Sequence, residues 1–239
     1  MVDDSSVCQY EALITIMDYE LRDDLVELYN KSHMPVTFLT HGHGTAKSAI
    51  YDILGYGGRK KIVSVGIQTK KISNYILNQF KNELSLDKPG TGIAFTISLS
   101  SISRALSMTI KKADEYIKMG SDDNMSIRTK VPYHLILTIV NTGYFDQVME
   151  AAKAAGATGG TVIHARGLGS EEAVKYLGIT IQPEKDVVLI LTEQEKRHAI
   201  MENITREAGL NTKGKGICFS LPVNEAIGLN TGISNMDEL

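Results

Sequence analysis

The fold of this 239-residue chain is decided by one stretch, Gly159-Gly160-Thr161-Val162-Ile163-His164-Ala165-Arg166-Gly167-Leu168-Gly169-Ser170. Two glycines open it, a run rich in β-branched residues follows, and a Gly-x-Gly then leads into a long polar segment. The segment ends near Asp186, where the apolar run Val187–Thr192 begins. β-Branched runs bounded by glycines are typical of strands, so the stretch predicts a strand, a long loop and a second strand.

The same pattern occurs earlier in the chain, where Val36–Thr45 leads through a second long segment to Ile62. Gly42 and Gly44 lie 125 residues before Gly167 and Gly169, so the two loops have equal length. A later glycine pair repeats at an offset of 124 residues and comprises Gly90 and Gly92 in the first copy, and Gly214 and Gly216 in the second. Glycine pairs in one register at both loops indicate a tandem repeat.

Hydrophobic periodicity predicts the order β-α-β-β-α-β in each copy. The predicted elements of the first copy are Tyr10–Met17, Leu21–Lys31, Val36–Gly44, Ile62–Ile67, Lys70–Leu84 and Ile93–Leu99. Those of the second are Tyr133–Val140, Phe145–Ala155, Thr161–Arg166, Val187–Leu191, a helix ending at Ala208, and Ile217–Leu221. This order predicts an α+β fold of ferredoxin-like units, duplicated in tandem.

Local signals refine the ends of these elements. Gly156 stands where a glycine ends a helix, and Thr192-Glu193-Gln194-Glu195 matches a capping box that predicts a helix start at Thr192. We expect domains at 1–107 and 131–239, with a polar linker at 108–130 in which Lys111–Met119 predicts a short helix. The loops Thr45–Lys61 and Ser170–Asp186 are expected to be mobile, and the terminal residues 230–239 to fray.

Composition excludes several classes of protein. The net charge is −3, tryptophan is absent and no basic stripe occurs, so a nucleic-acid partner has no support. No apolar run approaches the ~20 residues of a membrane span, and the acidic N-terminus lacks a signal-peptide core. Cys8 and Cys218 lie far apart in the sequence, which indicates free thiols in a reducing compartment. A cytoplasmic protein without membrane insertion is expected.

Glycines in paired turns let the backbone approach a ligand and present amides to an anion. The alternative is that they serve only as turn glycines. In the second copy, Arg166, Lys213 and Lys215 lie beside the glycines, whereas the first copy offers Arg104 and neutral histidines. Because positive side chains offset the charge of a bound anion, the second copy is the favoured anion-binding copy.

The chain resembles the PII signal-transduction family. The motifs are Gly156-Ala157-Thr158-Gly159-Gly160-Thr161-Val162, Arg166-Gly167-Leu168-Gly169 and Lys213-Gly214-Lys215-Gly216-Ile217-Cys218-Phe219. The resemblance covers about 133–230, and more loosely 10–106. It implies homotrimers with adenine-nucleotide sites between subunits. It also implies a T-loop that docks on a target transporter or enzyme, as in nitrogen regulation.

By this resemblance, Gly167 and Gly169 form the base of the T-loop and Gly214–Gly216 form the family's B-loop. The chain departs from the family at the phosphate-binding cations. Ile217 and Ile93 stand where the family has a lysine. Of two family arginines after the last strand, the first copy keeps Arg104.

The candidate nucleotide- or anion-binding residues come from both copies. Those of the second copy are Arg166, Gly167, Leu168, Gly169, Ser170, Lys213, Gly214, Lys215 and Gly216. Those of the first copy are Gly42, His43, Gly44, Thr45, Gly90, Thr91, Gly92 and Arg104. The expected effector is ATP, ADP or AMP, with no cofactor and no catalytic residues.

Two other functions remain open. His41 and His43 alternate along a strand and lie on one face, and with His33 they suggest a metal-binding or metal-tolerance protein. The third hypothesis is an adaptor whose loops dock without a ligand. No nucleophile–base pair, HExxH motif or complete phosphate-binding P-loop occurs, so the sequence predicts a regulator rather than an enzyme.

Overall fold

The computed structural model describes residues 10–45, 59–88, 91–116, 132–167 and 184–229. The first copy contains β1 (Tyr10–Asp18), a 3-10 turn (Tyr19–Leu21), α1 (Arg22–Lys31), β2 (Thr37–Gly44), β3 (Lys60–Thr69), α2 (Lys70–Glu83), β4 (Gly92–Leu99) and α3 (Arg104–Tyr116). The second contains β5 (Tyr133–Asn141), α4 (Phe145–Ala154), β6 (Thr161–Arg166), β7 (Glu184–Glu193), α5 (Arg197–Ala208), β8 (Ile217–Pro222) and the short β9 (Ala226–Ile227).

By contacts the chain divides into two compact units. Unit 1 comprises the described residues within 1–40, 62–130 and 223–239, and unit 2 those within 41–61 and 131–222. Strands β2 and β3 are thus shared between the units. The compact units follow contacts in space, whereas the two copies follow the sequence repeat. The predicted domain limits at 107 and 131 therefore stay a prediction.

Unit 1 is built on strands in the order β2-β3-β1-β4-β9. Its core is formed by the apolar faces of α1 and α2 against β1, with Leu13, Ile76 and Phe80 fully buried. Tyr10 points to the opposite face of β1 from Leu13, since neighbouring strand residues alternate. The Tyr10 hydroxyl is 2.6 Å from Ser107 Oγ of α3. Helices therefore contact both faces of this sheet.

Unit 2 repeats the arrangement with strands in the order β8-β5-β7-β6-β2. Strand β5 lies antiparallel between β7 and β8, so Leu137 faces Leu189 on one side and Phe219 on the other. α4 and α5 cover one face, where Ile136, Val188 and Ile200 are fully buried. In each copy the fourth, first, third and second strands are neighbours in that order. The predicted duplicated ferredoxin-like fold is confirmed.

The helix-end predictions had different outcomes. Gly156 adopts φ +94°, and the Ala157 amide donates to Ala152 O, so the predicted glycine stop after α4 is confirmed. The capping-box prediction is wrong, because β7 continues to Glu193, which pairs with Tyr133. α5 begins only at Arg197, and its N-cap Lys196 makes no side-chain cap bond. Pairing across the sheet outweighs the local capping signal.

Two features lay outside the sequence prediction. α3 begins at Arg104, ahead of the expected Lys111, and its Ile110 is fully buried. The residues after β8 form β9, which pairs with β4 in unit 1 through Ala94–Ile227 and Phe95–Ala226. Most of the two predicted loops and the tail at 230–239 lie outside the described residues. Within the described part of the chain, none of the helices is long and apolar enough to cross a membrane.

Candidate functional site

The base of the second predicted loop is the open end of β6 and β7. Arg166, the last residue of β6, is exposed and faces Glu184, the first residue of β7. Gly167 is the last described residue before the loop, and Leu168, Gly169 and Ser170 lie outside the described residues. Arg166 therefore places a positive side chain at this base, with a carboxylate-bearing residue as its register partner.

The turn between α5 and β8 has its amides already engaged. Gly214 N donates to Thr212 Oγ1 at 3.2 Å, Lys215 N to Thr212 O at 3.3 Å, and Gly216 N to Ala208 O at 2.8 Å. An anion at this turn would have to replace these bonds or bind through side chains. Lys213 is exposed and Lys215 is of intermediate exposure, so neither is buried.

Packing accounts for the glycine at 216. A Cβ atom there would collide with the carbonyl oxygen of Ala208, at the end of α5, and would approach Val140. Lys215 holds the left-handed conformation, with φ +50°. The close contact between α5 and the start of β8 therefore requires this glycine for structural reasons.

A polar chain links this turn to the base of the loop. Lys185 Nζ donates to Asn141 Oδ1 at 2.6 Å, and Asn141 Nδ2 donates to Lys213 O at 3.1 Å. Burial lowers the pKa of Lys185. Sequence reasoning missed both residues, although Asn141 directly follows one predicted strand and Lys185 shortly precedes another, where polar side chains often gather.

A second polar cluster lies on the helix-covered face of the sheet, the opposite face from Lys185 and Asn141. Asp186 is fully buried and accepts from Gly143 N at 3.0 Å, and its other oxygen lies 2.8 Å from His164 Nδ1. The ring centroids of His164 and His43 are 5.9 Å apart. Desolvation lowers the pKa of His43, and the neighbouring His164, Lys60 and His41 lower it further. His164 and Asp186 were not predicted as site residues.

The first copy's loop base also lies in unit 2. Thr45 donates to Gly160 O through its amide and its hydroxyl, both at 2.9 Å, while Lys153 Nζ donates to Thr45 O at 3.3 Å. Gly44 N donates to Arg59 O at 3.0 Å. The amides of Gly44 and Thr45 are therefore engaged within unit 2.

The first copy's later turn shows the same use of glycine. A Cβ atom at Gly92, whose φ is +152°, would collide with the Ile16 carbonyl oxygen. The Thr91 hydroxyl donates to Lys88 O at 2.6 Å. Gly42 is buried on β2, and Gly90 lies outside the described residues.

Arg104 lies at a cavity of about 740 Å³ in unit 1. Arg104 and Lys111 contribute two cationic side chains, and Tyr10 contributes a ring whose hydroxyl bonds Ser107. The hydroxyl-bearing lining residues are Tyr10, Ser98, Ser100, Ser101 and Ser107. Lys111 was missed, yet it follows Arg104 by seven residues, about two turns along one helix face.

A second cavity, of about 620 Å³, lies over α5 and β8 in unit 2. Arg197 and Arg206 line it together with Glu202, so its charge is mixed. Arg206 is already bonded to Asn203 at 2.8 Å and Glu207 at 3.0 Å. This cavity is less suited to an anion than the one at Arg104.

The predicted histidine set is divided between the units. His33 belongs to unit 1, on the turn after α1, and His41 and His43 belong to unit 2. Across the described ranges, no group of three His, Cys, Asp or Glu side chains is arranged to hold a metal. Cys218 is a free, half-buried thiol whose pKa burial raises, and Cys8 lies outside the described residues.

Comparison with known proteins places the second copy in context. Residues 133–232 match the family described as Nitrogen regulatory protein P-II, which confirms the predicted resemblance there. PII from Arabidopsis thaliana, solved bound to citrate, is 23% identical over 38% of this chain and 75% of its own, with a TM-score of 0.30. A PII-like signaling protein from Thermus thermophilus is 21% identical over 41% and 89%, with a TM-score of 0.31. No curated protein sequence matches significantly.

Proposed function

We propose that this chain, whose residues 133–232 match the P-II family, is a PII-like regulator of a target transporter or enzyme. It binds a small anionic effector, an adenine nucleotide such as ATP, ADP or AMP. The segments between β2 and β3 and between β6 and β7 serve as T-loops that dock on the target. It acts as a homotrimer in the cytoplasm, without catalysis, and nitrogen regulation is the pathway that the resemblance suggests.

The observation that carries effector binding is the cavity at Arg104. Its volume of about 740 Å³ lies within the ~300–1,000 Å³ typical of small-molecule sites. A guanidinium can hold phosphate oxygens through two parallel hydrogen bonds, and Lys111 adds a second positive charge. Serine hydroxyls suit the remaining phosphate or ribose oxygens, and the ring of Tyr10 offers an apolar surface to a base.

We favour a location of the effector in the first copy, whereas the sequence analysis favoured the second. Second-copy cations lie near a turn whose amides at Gly214, Lys215 and Gly216 donate internally. Arg104 and Lys111, by contrast, line one concave site. Binding at Gly167–Ser170 and Lys213–Gly216 stays a rival prediction that the same experiment tests.

The test is calorimetric titration of ATP, ADP and AMP, with adenosine and inorganic phosphate as partial ligands. Arg104→Ala removes a charge-assisted contact worth ~1.5–3 kcal/mol, so we expect a loss of affinity of about 10–100-fold. A thermal-shift series gives an independent reading, because a ligand at 100 times its dissociation constant adds ~2.7 kcal/mol of stability.

Two control variants make the result specific. Arg206→Ala removes an exposed arginine at the mixed-charge cavity and is expected to leave affinity unchanged. If Lys215→Ala abolishes binding while Arg104→Ala does not, the effector binds in the second copy instead. If none of the three nucleotides binds, the effector part of the proposal fails.

A further inference from the structure

We propose that His43 and His164 form a binding site in unit 2 for a divalent transition metal that prefers imidazole, Cu²⁺ above Zn²⁺. This site is distinct from the proposed effector cavity and uses different residues. It replaces the histidine set expected from sequence, since His164 comes from the second copy and His33 is not part of it.

Strand pairing fixes the two histidines on one face of the sheet. His43 on β2 is the register partner of Val162 on β6, and His164 lies two residues further along β6. Register partners share a face, and residues two apart on a strand share it too. Both histidines therefore lie on paired strands, whose backbone hydrogen bonds fix the positions from which the two imidazoles project.

The separation of the rings suits a shared metal ion. A bond of about 2.0–2.1 Å from metal to imidazole nitrogen places each ring centroid roughly 3 Å from the metal, so two such rings have centroids about 5–6 Å apart. The centroids of His43 and His164 are 5.9 Å apart, with ring planes tilted by 54°. Small rotations about the side-chain bonds suffice to aim both nitrogens at one point.

Asp186 supports His164 as a carboxylate supports a metal-binding histidine. Its Oδ1 atom is 2.8 Å from His164 Nδ1, and its Oδ2 atom accepts from Gly143 N at 3.0 Å. With the carboxylate fully buried and fixed by this amide, the neutral histidine carries its proton on Nδ1 and leaves Nε2 as an acceptor. Such a partner fixes the orientation of the ring as a ligand.

The site leaves coordination positions open. No third His, Cys, Asp or Glu among the described residues completes a ligand set, so water or a bound molecule fills the remaining positions. Lys60 places a positive charge near His43, which opposes ions held mainly by charge, such as Mg²⁺. Ions bound through imidazole nitrogen are affected less, which favours Cu²⁺ and Zn²⁺.

The experiment is calorimetric titration of the full chain with ZnCl₂, together with electron paramagnetic resonance of the chain with one equivalent of CuCl₂. We expect one saturable site per chain and nitrogen couplings in the Cu²⁺ spectrum. His43→Ala and His164→Gln each weaken zinc binding at least tenfold. Asp186→Asn weakens it about 10–100-fold, because the histidine loses its orienting partner.

The control is His198→Ala, which removes an exposed histidine on α5 and leaves binding unchanged. The His164 side chain is 61% exposed, and circular dichroism of each variant verifies that it folds. Unchanged affinity in the His43→Ala/His164→Gln double variant overturns the proposal, as does a wild-type chain with no saturable site. Neither result bears on nucleotide binding at Arg104.

Discussion

Tyr29 shows how a single buried residue holds unit 1 together. The residue is 5% exposed, and its hydroxyl lies 2.7 Å from Ser64 Oγ on β3 and 3.1 Å from Thr15 Oγ1 on β1. Three hydroxyls thus satisfy one another in an apolar core, where each alone would be costly. Burial raises the pKa of Tyr29 to about 12, and the two hydroxyl partners lower it by less.

We expect Tyr29→Phe to lower the free energy of unfolding by about 1–3 kcal/mol at pH 7, because Ser64 and Thr15 lose a buried partner. The folded pKa of about 12 exceeds the unfolded value of about 10. The wild-type stability from this group is therefore complete below pH 10 and is lost as the pH rises towards 12.

Urea unfolding at pH 7, 9, 10.5 and 11.5, followed by circular dichroism, measures both effects. The difference between wild type and variant should narrow above pH 10. Tyr75→Phe, at a half-buried tyrosine, is the control. A difference that stays constant across this range would show that Tyr29 does not cause the alkaline loss.

At the scale of elements, the contact between α5 and β8 depends on Gly216. A Cβ atom at this position would overlap the Ala208 carbonyl oxygen, which accepts the Gly216 amide at 2.8 Å. We expect Gly216→Ala to destabilise the protein by about 1–3 kcal/mol through overpacking. Thermal unfolding without a ligand measures this loss.

Gly159 is the matched control for that variant, since a Cβ atom there would meet no atom within 4 Å. Gly159→Ala should change stability by no more than about 0.5 kcal/mol. If Gly216→Ala were as stable as the wild type but had lost nucleotide binding, the glycine would serve the ligand and not the packing.

At the scale of the whole molecule, β8 presents apolar side chains at an edge of the unit 2 sheet. Phe219 and Ile217 are 40% and 46% exposed, and within the described residues β8 pairs with β5 alone. Exposed apolar edges of this kind are candidates for association. We expect self-association through β8, as a trimer of the 26.2 kDa chain.

Light scattering at micromolar concentration tests this expectation. Phe219→Glu should lower the molar mass of the particle towards that of a single chain, because burying a carboxylate in an interface at this edge is costly. Leu210→Glu, at another exposed apolar position, should leave the mass unchanged. A wild-type chain that scatters as a monomer would exclude both the trimer and any site between subunits.

The candidate site was predicted only in part. Arg104 was found because one family position retains its arginine, and the cavity around it was not foreseen, because Lys111 and Tyr10 come from separate elements. His164 and Asp186 gave no local signal, since a strand histidine and a strand aspartate are unremarkable until the register places them opposite each other.

The sequence by itself determined the order of the elements, the duplicated fold and the glycine stop after α4. These follow from apolar periodicity and glycine positions, which act between residues a few places apart. The tertiary structure decided that Thr192 and Glu193 stay in a strand, that Thr45 bonds Gly160, and that β9 completes unit 1. Each of those outcomes depends on backbone hydrogen bonds between residues distant in sequence, whose register no local pattern encodes.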